Sequence, residues 1–281
     1  MIRAIFVTTC LELATLIGIP LQWISIKLGL PTQRLIPMYY HRICLKLFGV
    51  RVEVRGAPTP DRPLLFIANH SSWLDHLILS ATTPVVFIAK KEIASWPVFG
   101  LLAKLQRSIF VDRARRQETG AVNQEISSRL TGGDPVVLYG EGTTGDGNRV
   151  LPFRSALLGA MSMTVGPGET GYLQPVSIAY TKLQGLPMGR QHRPVAAWFG
   201  DTSIRKHIGR VLKMGGIDAV VTFGPAMAVT PEMDRKNVAK SLELSVRRMT
   251  SAARSGRPEI AISASNLTIS PAAVSLVAET R

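Results

Sequence analysis

A histidine and an aspartate stand five residues apart in Asn69-His70-Ser71-Ser72-Trp73-Leu74-Asp75, a pairing suited to general-base chemistry on an alcohol. Residues five apart do not share a helix face, where neighbours lie three or four apart. The spacing therefore predicts His70 in a turn and Asp75 in the first turns of the following helix, reaching back to one ring nitrogen. A carboxylate on one nitrogen fixes the tautomer and leaves the other to take a proton from a hydroxyl. The pair is a base and its orienter with no obvious nucleophile beside them. Backbone N–H groups around Ser71 and Ser72 could stabilise an oxyanion; helix capping is the structural reading of the same two serines. Most His/Asp pairs are structural contacts, so this one needs company to carry a function.

The elements that must hold the pair are legible. Leu64-Leu65-Phe66-Ile67-Ala68, bounded by Pro63 and Asn69, reads as a buried strand. Ser108-Ile109-Phe110-Val111-Asp112-Arg113 runs strand-like onto an arginine. Val136-Val137-Leu138-Tyr139 runs into Gly140-Glu141-Gly142-Thr143-Thr144, and Leu173-Gln174-Pro175-Val176-Ser177 is a fourth run. Further strand-like runs near 85, 194 and 217 alternate with helical stretches over 117–130 and 155–165. That alternation predicts an α/β domain with a mixed, largely parallel sheet flanked by helices. The chemistry-bearing residues then fall at strand ends, where open α/β sheets bind ligands. A long helix is expected over 231–254, with Thr230 as N-cap and Pro231 in its first position.

In this order the four blocks resemble the motifs of the glycerolipid acyltransferase family, typified by the enzymes that acylate lysophosphatidic acid. His70 and Asp75 match its His-x4-Asp motif, Phe110 and Arg113 its second, Glu141-Gly142-Thr143 its third and Pro175 its fourth, over roughly residues 40 to 225. The resemblance implies a glycerol-3-phosphate acyltransferase-like fold, with His70 as general base oriented by Asp75. It implies substrate-binding roles for Ser71, Ser72, Phe110, Arg113, Glu141, Gly142, Thr143 and Pro175. The reaction expected is acyl transfer from an acyl carrier protein or coenzyme A thioester to a lysolipid hydroxyl, with that thioester as co-substrate and no metal or other cofactor.

The sequence departs from the family pattern in places. Arg107 stands where glycine is usual, six residues before Arg113, and Tyr139-Gly140-Glu141-Gly142-Thr143-Thr144 lacks the usual proline and arginine. The run from Glu141 to Gly147, with Ala179-Tyr180-Thr181 and Gly185-Leu186-Pro187-Met188-Gly189-Arg190, is similar to the bacterial branch that acylates lyso-ornithine lipid. Lysophosphatidic acid and lyso-ornithine lipid are thus the two acceptors expected.

Residue chemistry fits such a reaction. The planar fork of Arg113 can bond both oxygens of a phosphate or carboxylate; a surface ion pair with Asp112 is the alternative. Glu141 would repel a phosphate, so an acceptor hydroxyl or Arg113 is its expected partner. Gly142 allows close backbone approach to a ligand, and Thr143 adds a hydroxyl or merely ends the strand. Lys90 and Lys91 read as a solvated pair. Two decoys fall away. Gly166-Pro167-Gly168-Glu169-Thr170-Gly171 follows a helical stretch rather than a strand, so it lacks the context of a dinucleotide fingerprint. No Gly-x-Ser-x-Gly elbow of a serine hydrolase occurs.

Composition points to a membrane surface. Among 281 residues, 33 Lys and Arg against 19 Asp and Glu leave a net charge of +14, which suits anionic lipid. No zinc-finger spacing or RNA-recognition signature favours nucleic acid. Residues 4–26 form an apolar run of about 23 residues, roughly 34 Å as a helix and enough to cross a bilayer. Glu12 and Pro20 within it fit a membrane-embedded or re-entrant helix equally well. Residues 35–48 mix apolar and basic side chains and read as an amphipathic interfacial helix. Only Cys10 and Cys44 occur, so neither a disulfide framework nor a cysteine metal set exists.

The organisation expected is a membrane-anchoring helical segment over 1–50, an acyltransferase domain over 51–255 and a mobile tail over 256–281. The protein is expected at the inner (cytoplasmic) membrane with its active domain facing the cytoplasm, its partners being the bilayer, the lysolipid and the thioester donor. A non-catalytic lipid-binding or lipid-transfer module of the same fold is the rival reading.

Overall fold

In a computed structural model that describes residues 2–112 and 119–256, the chain opens with two helices, α1 (Ile2–Lys27) and α2 (Thr32–Phe48). There follow β1 (Val50–Arg55), β2 (Leu64–Ala68), α3 (Leu74–Thr82), β3 (Val86–Lys90), α4 (Phe99–Leu105) and β4 (Ile109–Val111). Next come α5 (Thr119–Thr131), β5 (Val136–Tyr139), α6 (Gly159–Thr164), β6 (Gly171–Leu183) and β7 (Leu186–Pro187). The chain continues through α7 (Arg193–Ala196), α8 (Ile204–Met214), β8 (Ile217–Phe223), β9 (Met227–Val229) and α9 (Arg235–Ser255).

The strands form one mixed sheet in the order β1-β8-β6-β2-β5-β3-β4, with β7 and β9 also pairing with β6. Pairings from β6 through β4 are parallel, and β6 runs antiparallel to β7, β8 and β9. β2 lies at the centre, and all five of its residues are buried. Successive strand side chains point to opposite faces. Leu64, Phe66 and Ala68 accordingly join a core with α2, α3 and α8, while Leu65 and Ile67 join a second core with α5, α6 and α9. The result is a sheet between two helical layers. Because β2 and β5 are parallel neighbours, the loops leaving them emerge at the same edge, which brings His70 beside Glu141.

Three boundaries differ from those read in the sequence. The run near 194 is the short helix α7, because Pro194 sits in its first turn and cannot donate to a ladder. The last helix starts four residues later than expected: Asp234, not Thr230, is the N-cap, accepting from the amides of Lys236 and Asn237 at 2.9 and 3.2 Å. A carboxylate at the cap also favours the positive end of the helix dipole. The stretch over 155–165 divides into a 3₁₀ turn, Ala156–Leu158, and α6. The tail expected over 256–281 lies outside the described residues beyond Gly256, as do Arg113 and the start of the 117–130 stretch.

α1 runs unbroken through Pro20, and by length and composition it is a candidate membrane span. It is tied to the domain near both ends. Arg3 donates to the carbonyl of Leu212 at the end of α8, at 2.7 Å, and Gln22 donates to the carbonyl of Leu105 in α4, also at 2.7 Å. Along its outer side Phe6, Leu13, Leu16, Ile17 and Trp23 are exposed, and Tyr39 and Ile43 of α2 are exposed as well.

Candidate active site

The site begins where β2 ends. The Asn69 amide bonds both backbone groups of Ile178, at 2.9 and 2.8 Å, and pegs the exit of β2 to β6. His70 follows in an irregular stretch that becomes a turn only at Trp73, and Asp75 lies in the first turn of α3, fully buried. Asp75 Oδ2 accepts from His70 Nδ1 at 2.8 Å and from the amides of Ser71 and Ser72 at 2.7 and 2.8 Å. Its Oδ1 accepts from the Tyr180 hydroxyl at 2.6 Å. A carboxylate that accepts at Nδ1 assigns the proton to that nitrogen. Nε2 then carries the lone pair, and it has no hydrogen-bond partner among the described residues.

The ring of His70 is held from the other side by Tyr139. The two planes lie 15° apart with centroids 3.9 Å apart, and His76 meets His70 edge-on at 5.2 Å. Tyr139 and Tyr180 are both buried, and desolvation, followed by the charge of Asp75, pushes both phenols well above their ordinary range. Tyr180 is thereby kept protonated, as a donor.

The loop after β5 clamps the loop after β2. Glu141 accepts from the amide of His70 at 3.0 Å with one oxygen and from that of Leu151 at 2.8 Å with the other. The amide of Gly145 donates to the carbonyl of His70 at 2.9 Å. Burial pushes the Glu141 carboxyl up to about 7 despite these two donors. From a third side the amide of Trp198 donates to the carbonyl of Ser71 at 2.7 Å.

Several sequence expectations are redirected by this geometry. The amides of Ser71 and Ser72, expected to face an oxyanion, are committed to Asp75, whose short side chain reaches back three and four residues. Side-chain capping by these serines is limited to a 3.4 Å contact from the Leu74 amide to Ser72 Oγ. Glu141 meets the backbone amides of His70 and Leu151. Gly142 adopts φ +67°, and a Cβ there would come within 3.2 Å of the Arg154 side chain. The missing side chain leaves room for Arg154. Gly140 replaces the usual proline where a Cβ would lie 2.6 Å from the ring of Phe153.

Thr143 is exposed beside this turn. Phe110 lies on the edge strand β4 beside Ala89, with β5 and β3 between it and β2. Pro175 is buried next to Ile67 in β6. There β9 pairing has ended at Leu173 and β8 pairing begins at Val176, so its missing N–H interrupts no ladder bond. Arg113 lies outside the described residues.

Four residues at the site escaped the sequence reading. Tyr180 shares a strand face with Val176 and Ile178, and a buried phenol among aliphatic side chains calls for a hydrogen-bond partner; that signal was available. Trp73, inside the His-x4-Asp loop, donates to His207, and neither residue's role is visible without the fold. Arg154, exposed and lying against Gly142, supplies a guanidinium beside the third motif, where Thr144 replaces the usual arginine.

Comparison with known proteins agrees with this architecture. A family model described as Acyltransferase matches residues 51–179. The chain is 44% identical over 259 residues to a lyso-ornithine lipid O-acyltransferase of Brucella abortus, covering 91% of this chain and 97% of that protein. It is 42% identical to the protein of the same description from Rhizobium meliloti, covering 92% and 90%. A 1-acyl-sn-glycerol-3-phosphate acyltransferase of Neisseria gonorrhoeae is 30% identical, covering 72% and 76%. The fold is shared with the crystal structure of the 1-acyl-sn-glycerophosphate (LPA) acyltransferase PlsC from Thermotoga maritima. The TM-score is 0.58 at 20% identity, covering 89% of this chain and 95% of that one. The chain belongs to the PlsC-type lysolipid acyltransferase family, in the branch of the lyso-ornithine lipid O-acyltransferases, and is an acyltransferase.

Proposed function

We propose that this enzyme transfers a fatty acyl group from an acyl carrier protein or coenzyme A thioester to the free hydroxyl of lyso-ornithine lipid, with His70 as general base. The observation that carries the reading is the asymmetry of the His70 ring: Nδ1 is bound to Asp75, and Nε2 has no partner among the described residues. Nε2 takes the proton of the acceptor hydroxyl as its oxygen attacks the thioester carbonyl. The C–S bond then breaks, and the departing thiolate recovers the proton from the imidazolium. Asp75 sets the tautomer and stabilises that imidazolium.

Arg154, whose side chain lies against Gly142 of the third motif, is the cation assigned here to the acceptor head group. A carboxylate accepts its planar fork on two oxygens. Phe110, Arg113, Thr143 and Pro175 stay as substrate-side assignments implied by the family motifs. Lysophosphatidic acid is the second acceptor considered, on the strength of the Neisseria relative. The scheme requires no metal and no cofactor beyond the thioester.

The same reading places the enzyme on the inner membrane, active domain toward the cytoplasmic thioester pool. α1 is bonded to the domain near both ends, so we read it as lying along the bilayer surface with its apolar side immersed rather than crossing it. The test is acyl transfer by the detergent-purified protein from a labelled thioester, with lyso-ornithine lipid and lysophosphatidic acid offered side by side. Product from lyso-ornithine lipid, lost in His70→Ala, is expected. Product from lysophosphatidic acid alone would overturn the acceptor, and an active His70→Ala would overturn the base.

A further inference from the structure

We propose that Tyr180 is a positioning residue of the reaction, the end of a buried Tyr180–Asp75–His70 chain that sets both the aim and the basicity of His70. The inference rests on the general-base reading of His70 given above.

Asp75 divides its acceptors unequally. Oδ2 carries the His70 ring and the amides of Ser71 and Ser72, whereas Oδ1 is met by the Tyr180 hydroxyl at 2.6 Å. The first three donors all come from the local loop and could rotate with the carboxylate as a unit. Tyr180 comes from β6, the strand beside β2, where its backbone is paired with Ala219 and a register shift follows it. Its side chain is buried in the core that also holds Leu74 and Ile78 of α3. The phenol thus ties the carboxylate plane to the sheet, 105 positions away in sequence. It also draws negative charge toward Oδ1, away from His70 Nδ1, and moderates how strongly Asp75 stabilises the imidazolium. The other titratable groups around the pair are Tyr139 stacked on His70, His76 edge-on to it and Glu141 at its amide. Tyr139, which also faces the Asp75 charge, is buried as a neutral phenol whose hydroxyl has no partner among the described residues.

The experiment compares Tyr180→Phe, Asp75→Asn and the double variant of the full chain in detergent, measuring kcat, acceptor KM and the pH–rate profile. Tyr180→Phe is expected to lower kcat roughly tenfold, the size of effect that loss of a hydrogen bond to a charged group produces, with KM little changed. The acid limb of its profile moves to higher pH, since an undamped carboxylate holds the imidazolium proton more tightly. In the Asp75→Asn background the same change adds nothing. Replacing Tyr180 with 3-fluorotyrosine keeps the packing and makes a stronger donor, and it moves the acid limb the opposite way. That arm also stands if Tyr180→Phe fails to fold. Losses that multiply in the double variant, or an acid limb unmoved by either replacement, would overturn the proposal while leaving the base reading intact. Wild-type rates in Asp75→Asn would overturn the proposal together with the orienting role of Asp75, and only an active His70→Ala would overturn the base.

Discussion

The indole N–H of Trp73 donates to Nδ1 of His207 across 2.8 Å, joining the loop that carries His70 and Asp75 to helix α8, 134 positions later. On its other side His207 Nε2 lies 3.2 Å from the carbonyl of Val195. The imidazole thus accepts from Trp73 and donates to α7, which only the neutral ring can do. Burial, with a smaller push from Arg210, lowers His207 below its ordinary value.

A pH dependence of known sign follows from that bond. Protonation is harder in the folded state, so the contribution of His207 is intact above about 6.5, its ordinary value, and is lost as pH falls below it. Thermal unfolding between pH 7 and 5 should show a steeper loss for the wild type than for His207→Phe. At pH 8 the variant should be less stable by about 1–3 kcal/mol, the cost of a buried donor and acceptor left unpaired. Equal slopes would remove His207 as the acid-sensitive group.

Glu141 has the opposite dependence. With a carboxyl raised from 4.5 to about 7, its contribution is fully present below the unfolded value and is lost as pH rises through about 7. The stability at stake is on the order of 3 kcal/mol. Glu141→Gln should flatten that fall between pH 4.5 and 7. It should also lower kcat, because one oxygen of the clamp on His70 and Leu151 becomes a donor facing an amide. Unfolding curves of the pair across that range check the first outcome, and turnover at saturating acceptor checks the second.

Arg107, at the position where the family motif resembled has glycine, occupies a left-handed conformation at φ +63°. Its guanidinium is paired with buried Asp134, which Arg34 of α2 also reaches at 2.8 Å. Relieving the strain is worth about 1–2 kcal/mol, whereas losing a hydrogen bond to a buried carboxylate that keeps Arg34 costs about 1.5–3 kcal/mol. Arg107→Gly should therefore be a small net loss, on the order of 1 kcal/mol. A melting temperature above wild type would mean that the strain outweighs the ion pair.

The outer side of α1 offers a direct test of membrane attachment. Leu16 and Ile17 are 69% and 62% exposed, and neither belongs to a core cluster. Leu16→Glu with Ile17→Glu should move the protein from membrane pellet to supernatant, since each carboxylate in hydrocarbon costs on the order of 2–3 kcal/mol. Turnover on a micellar acceptor should persist. A doubly substituted protein still firmly pelleted with membranes would remove this surface from the attachment.

Arg154→Ala should raise the acceptor KM about tenfold or more with a smaller change in kcat, if its guanidinium holds the acceptor head group in ground and transition states alike. An unchanged KM in initial-rate measurements would assign Arg154 to packing against Gly142.

Local chemistry made much of this protein legible from its sequence. The five apolar residues of β2 can be satisfied only in a strand buried on both faces, and the five-residue offset of His70 and Asp75 requires a turn followed by a helix. The ordered motifs at strand ends carried the family. The length and apolarity of residues 4–26 made α1 a candidate span without any tertiary information. Partner choice was decided only by the fold. The Ser71 and Ser72 amides could face either an oxyanion or Asp75, and the turn geometry chose Asp75. Glu141 has an acceptor hydroxyl or Arg113 as its partner expected from sequence, and the parallel pairing of β2 with β5 puts the His70 amide within its reach as well. Tyr180, Trp73 and His207 acquire their roles through contacts spanning more than 100 positions. A hydrogen bond is specified by direction and distance, and for residues so far apart in the chain both are set by how strands and helices pack.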